Sequence, residues 1–142
     1  MFGVEELSDM DAPWRTGPEI QVLDNENFVG PNSDWHKAPS LYGLKPIGDI
    51  KYNPYGEWNH LLLNIDHDNN LGSITFNGEF VYSFPLSGPE WDKLVSKSKF
   101  ALGSDRSDAT YAPDFGKFKT GKIALQDHST DVKFRNIKIR EL

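Results

Sequence analysis

Glu19 and Gln21 stand two residues apart in Glu19-Ile20-Gln21-Val22-Leu23, where polar and apolar side chains alternate. In an extended chain this alternation puts both polar groups on one face and Ile20 and Val22 on the other. A carboxylate on such a face can serve as a base or an acid, and an amide beside it can orient a hydroxyl-bearing ligand. An exposed strand face with ordinary polar residues gives the same pattern. Lys122, Gln126 and His128 share one parity in a second segment and would form another polar face. His128 is the side chain suited to proton transfer near neutral pH, although Asp127, Ser129 and Asp131 around it also suit a turn. His36, in Asp34-Trp35-His36-Lys37, sits in a loop that could close over a ligand or simply lie on the surface. Arg15 and Trp14 precede the Glu19 segment, where a guanidinium can bind a hydroxyl and an indole can stack on a ring. Glu19 and His128 are therefore the candidate proton-transfer residues. Gln21, Arg15, His36 and Gln126 are candidate ligand-binding residues.

Other chemistries find little support. Asp66-His67-Asp68-Asn69-Asn70 opens like a calcium loop, but Leu71 and Asn77 stand where that loop needs Gly and Glu. A solvated turn is the expectation. The chain has no His-Glu-x-x-His, no histidine pair at metal spacing and no nucleophile elbow. Glu19, Asp24 and His128 are the side chains a divalent ion would use, yet no cofactor or metal is expected. With zero cysteines, disulfides, thiol catalysis and thiolate metal sites are all excluded.

The elements that must position these residues are mainly strands. Leu61-Leu62-Leu63-Asn64-Ile65 is an apolar run. Ser73–Phe76 and Glu79–Phe84 flank Asn77-Gly78, whose two positions accept the positive φ of a tight hairpin turn. Lys122–Gln126 reads as another strand, and 132–140 as one whose phase slips at Asn136, as a β-bulge would cause. One helix is predicted: Ser87 as cap, Pro89 in the first turn, Glu90 completing a capping box, and Trp91, Leu94 and Val95 on one face. Residues 25–56 are loop-rich, broken by Pro31, Pro39, Pro46 and Pro54, and a second irregular stretch covers about 103–121. Short strands with one isolated helix point to an all-β sandwich in a single domain spanning 1–142.

Composition agrees with a folded domain, at 37% hydrophobic, 25% charged and 13% aromatic residues. A net charge of −6 without a basic run excludes a nucleic-acid footprint. The first fifteen residues are acidic and too short in apolar length for a signal peptide or a membrane span.

Four stretches carry a resemblance to a known family. Gly17-Pro18-Glu19-Ile20-Gln21-Val22-Leu23-Asp24 resembles the "GPE-x-Q-x-x-D" strand of the 3-keto-disaccharide hydrolase family. Leu41-Tyr42 with Pro46 resembles its "LY-x-x-x-P" turn, and Gly56-Glu57-Trp58-Asn59 its "GEWN". Gly121–His128 followed by Phe134–Arg140 is similar to its C-terminal signature, the most specific of the four. The resemblance implies a concanavalin A-like jelly-roll β-sandwich of two antiparallel sheets with one short helix. It also implies an oligosaccharide or glycoside substrate and a periplasmic or extracellular location, and it adds Tyr42 to the substrate-binding residues. The implied reaction acts on glycosides oxidised to a ketone at sugar position three: a base removes the proton beside the ketone, an enolate forms, and the glycosidic oxygen leaves from the adjacent carbon. Family domains usually begin with more strands, so the domain is expected to be N-terminally incomplete, and exposed edge strands could then pair two copies as a homodimer. Two alternatives stay open. One is a non-catalytic carbohydrate-binding module. The other is a laminarinase-type glycoside hydrolase, whose "E-x-D-x-x-E" strand is similar to Glu19-x-Gln21-x-x-Asp24, with Gln21 in place of the central carboxylate. Trp58 opens an apolar run and is expected in the core.

Overall fold

The structure is a computed structural model that describes residues 1–8, 11–29 and 34–141. Pro31, one of the expected loop breakers, lies outside the described residues. The centre is a three-stranded antiparallel sheet in the order β1 (Leu61–Asp66), β2 (Leu71–Phe76), β3 (Glu79–Pro85). One helix, α1 (Gly88–Ser96), follows and lies against β3. Asn77 and Gly78 adopt φ of 51° and 86°, as the expected hairpin turn requires. The register runs from Phe76↔Glu79 to Leu71↔Pro85, with an irregularity between Ile74 and Thr75.

Alternation decides which face is buried. Gly72, Ile74 and Phe76 of β2 and Tyr82 and Phe84 of β3 point into the core. Ile20, Leu41, Leu44, Ile47, Trp91, Phe100 and Phe115 close over that face. Full burial of each such side chain contributes roughly 1.5–3 kcal/mol. Helix α1 presents the predicted stripe: Trp91 is buried and Leu94 and Val95 are half-buried against the same cluster. Its cap differs from expectation. Ser87 occupies the cap position with extended backbone, but makes no side-chain cap bond. Its hydroxyl donates instead to Asn70 Oδ1 at 2.9 Å, while Asn70 Nδ2 donates to the Ser87 carbonyl at 3.1 Å. The turn after β1 thereby holds the start of α1.

The other expected strands do not join a sheet among the described residues. Residues 19–23 make a single bridge, Ile20 to Leu41, and residues 122–126 a single bridge, Lys122 to Val4. Residues 132–140 are extended but unpaired, although Asn136 does carry a positive φ of 53°. A strand persists only where a neighbour satisfies its alternate backbone groups, and these segments find one bridge or none. Ile123, Leu125, Ile137 and Ile139 are accordingly exposed. Trp58 is not a core residue. It is 42% exposed, and the Arg135 guanidinium stacks 4.0 Å above its ring. The rest of GEWN is structural: Asn59 Oδ1 accepts from the Asn53 amide and from Asn77 Nδ2, both at 2.8 Å, which braces the hairpin. The Asp66 loop is the expected solvated turn, with the Asn69 amide donating to Asp66 Oδ1 at 2.9 Å.

Gly72 tests the packing most sharply, because a Cβ there would fall inside the Phe84 ring. Gly72→Ala is expected to lower stability by about 1–3 kcal/mol through overpacking. Urea unfolding reads this as a reduced midpoint; an unchanged midpoint would show that Phe84 does not lie on β2.

Candidate active site

The Glu19 segment is placed by its apolar residues. Ile20 and Leu41 pair across a narrow antiparallel bridge and are 7% and 0% exposed. The Tyr42 amide donates to the Glu19 carbonyl at 2.9 Å, and the Gln21 amide to the Ser40 carbonyl at 3.0 Å. Since Ile20 and Leu41 point into the core, Glu19 and Tyr42 leave the ladder together on the opposite face. This is the face the alternation predicted for Glu19, and Tyr42 arrives there as its cross-strand neighbour.

Two further segments bring charge to that face. An aromatic stack holds one of them: Phe100 lies on Phe115 with centroids 3.9 Å apart, and Trp91 stacks on Phe115 at 6.1 Å. The Thr110 and Ala112 amides donate to the carbonyls of Lys99 at 2.7 Å and Phe100 at 3.1 Å, closing the loop between them. Lys99 Nζ then lies 4.5 Å from the Tyr42 ring centroid and donates to Tyr42 Oη at 3.4 Å. From the same loop, Arg106 grips Asp108 through two bonds of 2.9 and 3.0 Å and donates to the Gly43 carbonyl at 3.1 Å. The second segment carries His36, whose ring meets Tyr42 edge-on at 5.4 Å and whose Nε2 lies 3.6 Å from Asp108 Oδ2.

Burial sets the electrostatics. It pushes the Glu19 carboxyl above its ordinary value, against the pull of the terminal ammonium, Lys99 and His128. It pushes Lys99 down, against the charges of Asp108 and Glu19. It pushes Tyr42 up, with Glu19 and Asp108 adding to the effect. At Asp108 burial acts upward too, but the Arg106 bonds and charge win and hold its carboxyl below the usual range. Burial thus disfavours the charged form of both Glu19 and Lys99.

The structure gathers some of the sequence-predicted residues and scatters others. Glu19, Tyr42 and His36 converge. His128 is exposed, in a turn where the Ser129 amide donates to Asp127 Oδ1 at 2.9 Å, yet its charge reaches Glu19. Gln21 turns its amide oxygen back to accept from the Val22 amide at 3.0 Å. Arg15 is engaged elsewhere: its Nε donates to Asp11 at 2.7 Å and its guanidinium lies 4.9 Å from the ring of Trp14, which packs on the core. Gln126 lines a separate depression with Leu125 and Phe134, which neither Glu19 nor Tyr42 borders. Asp24 accepts from the Glu26 and Asn27 amides at 3.1 Å as a turn former. Sequence reading missed Lys99, Arg106 and Asp108. Lys99 looks like the basic tail of α1, and the charges in Asp105-Arg106-Ser107-Asp108 are the one signal that could have marked the loop.

Among the described residues, no group of three or more His, Asp or Glu side chains converges to hold a metal ion, and no helix is long and apolar enough to cross a membrane. A depression of about 550 Å³ lies elsewhere, lined by Phe2, Ile65, Leu86, Trp91 and Ile139 among others. Neither Glu19, Tyr42, Lys99 nor His36 borders it.

Fold and site together define an antiparallel β protein with a partly desolvated acid–base cluster on a bridged ladder. The family described as the 3-keto-α-glucoside-1,2-lyase-like domain matches residues 1–140, and the chain belongs to that family. The chain is 32% identical over 136 residues to a 3-keto-disaccharide hydrolase of Bacteroides thetaiotaomicron, covering 89% of this chain and 44% of that protein. It is also similar to the crystal structure of a candidate glycosyl hydrolase from Parabacteroides distasonis. That match has a TM-score of 0.61 and 26% identity, covering 80% of this chain and 49% of that one. The chain thus spans less than half the length of both relatives.

The raised Glu19 pKa has a stability consequence. A carboxyl whose folded value exceeds its unfolded value binds more protons when folded, so stability falls as pH rises from 4.5 through the folded value. Glu19→Gln removes this penalty. The variant is expected to melt at a higher temperature than the parent at pH 7, with the gap closing as pH falls below 4.5. Parallel melting curves across that range would refute the desolvation of Glu19.

Proposed function

We propose that this domain is a carbohydrate-active hydrolase or lyase that cleaves 3-keto-glycosides by removing the proton next to the ketone and eliminating the glycosidic oxygen. One observation carries the reading: Glu19 is desolvated, with its pKa raised, on a face shared with Tyr42 and within reach of the Lys99 and His128 charges. The ketone acidifies the neighbouring C–H bond, and a carboxylate made more basic by burial is suited to take that proton. His128, whose charge acts on Glu19, is the candidate donor to the departing oxygen. The names of the family and of the Bacteroides protein support the same substrate class. Paired-carboxylate hydrolysis draws less support, because Gln21 cannot titrate and Asp24 is occupied as a turn former.

We also infer that the three-stranded sheet is part of a jelly-roll sandwich. The apolar residues exposed along 123–139 and the match to about half of a larger glycosyl hydrolase-like chain support that reading.

A panel of 3-keto and unmodified disaccharides tests the activity. Cleavage of the 3-keto compounds alone is expected, and Glu19→Gln should reduce it by about 10²–10⁴-fold, the usual contribution of a general base. Release of reducing ends from unmodified β-glucan would favour the glucanase reading. Ligand-dependent tryptophan fluorescence without turnover would mark a binding module.

A further inference from the structure

We propose that the Tyr42 hydroxyl, backed by the Lys99 ammonium, is the group that receives the negative charge of the enolate in this reaction; the proposal rests on the reading of Glu19 as the base. Proton abstraction next to a ketone needs two partners at once. A base takes the proton, and a hydrogen-bond donor meets the oxygen on which charge collects. Glu19 and Tyr42 are direct cross-strand neighbours on one face, joined by the 2.9 Å bond from the Tyr42 amide to the Glu19 carbonyl. Such neighbours have Cβ atoms about 4.5–5.5 Å apart, a spacing that lets one sugar ring present its C2 hydrogen to the carboxylate and its O3 to the hydroxyl.

Three contacts prepare Tyr42 for this role. Lys99 Nζ donates to Tyr42 Oη at 3.4 Å, which uses an oxygen lone pair and not the O–H bond. The same ammonium lies 4.5 Å from the ring centroid, and the His36 ring packs edge-on at 5.4 Å from the neighbouring side. His36 is itself set 3.6 Å from an Asp108 carboxylate that Arg106 holds by two bonds. The phenol is thus oriented before a ligand arrives, with a cation behind the oxygen that must donate. Burial keeps the hydroxyl protonated, so it is a donor across the working pH range.

The electrons balance as follows. The C2–H pair becomes the second C2–C3 bond, and the carbonyl pair moves onto O3, where the Tyr42 O–H meets it. That pair then returns, C1=C2 forms, the C1–O bond breaks, and the proton taken from C2 is matched by one delivered to the departing oxygen. Lys99 acts through Tyr42, whose hydroxyl and ring it contacts, so it is a positioning residue.

The test follows C2 hydrogen exchange from deuterated solvent and bond cleavage in parallel, on the intact chain with a 3-keto-disaccharide. Tyr42→Phe removes the hydroxyl and keeps the ring. It should slow both processes by about 10²–10³-fold, as loss of an oxyanion donor does, with an unchanged melting temperature. Lys99→Met should slow both about tenfold or more, and Lys99→Arg should recover part of that loss. Adding Lys99→Met to Tyr42→Phe should cost little more, because the lysine acts through the hydroxyl. Tyr42→Phe within about threefold of the parent, or losses that simply multiply in the double variant, would overturn the proposal. If Glu19→Gln still exchanges at the parent rate, the reading of Glu19 fails, whatever Tyr42 does.

Discussion

Everything at the candidate site depends on the burial of Ile20 and Leu41. The two residues face each other across a bridge and are almost fully removed from water. Period-two alternation then leaves Glu19 and Tyr42 no choice of face. The energy that holds a carboxylate partly out of solvent is supplied by apolar neighbours one residue away. A one-residue slip would exchange the two faces, exposing leucine and isoleucine and burying charge. Register and chemistry are thus set by the same contact.

Around that ladder the site is assembled from distant parts of the chain. Lys99 comes from the segment after α1, Arg106 and Asp108 from the loop beyond it, and His36 from the segment between the two sides of the ladder. Each is tied to rigid packing. The Phe100–Phe115 stack anchors Lys99, and Gly116 lies under Trp91 so closely that no side chain would fit. Charges in this partly desolvated setting interact more strongly than in water. The Arg106–Asp108 pair keeps one carboxylate ionised while burial raises another, Glu19. Two acids close to one tyrosine therefore have opposite tendencies, a separation of roles familiar from acid–base catalysis.

Legibility in the sequence followed interaction range. The Asn77-Gly78 hairpin, the Leu61–Ile65 strand and the Trp91 stripe of α1 are local patterns, and they were readable. Glu19 was readable from Ile20 beside it, although Val22, expected on the same core face, is 54% exposed. Tyr42 entered only through a family motif, since its pairing with Glu19 spans 23 positions (42 − 19). Lys99, Arg106 and Asp108 were hidden, because hydrogen bonds between loops leave no periodic trace. The segments 19–23, 122–126 and 132–140 have strand-like alternation, but pairing depends on a neighbour the pattern does not name. Ser87 shows the same limit at short range: its position was right, while its hydroxyl went to Asn70, seventeen residues back.

The loop that carries Arg106 is closed at its base by the Thr110–Lys99 and Ala112–Phe100 bonds. Within it, Leu102 and Gly103 are largely in solvent. Closure at the base insulates Lys99 from whatever happens at the tip, since lengthening a loop whose ends are already pinned adds only a slowly growing entropic cost. Insertions at Leu102–Gly103 would lengthen the loop and leave the ammonium over Tyr42 in place. The scaffold in this way separates a part that must keep its geometry from a part open to variation.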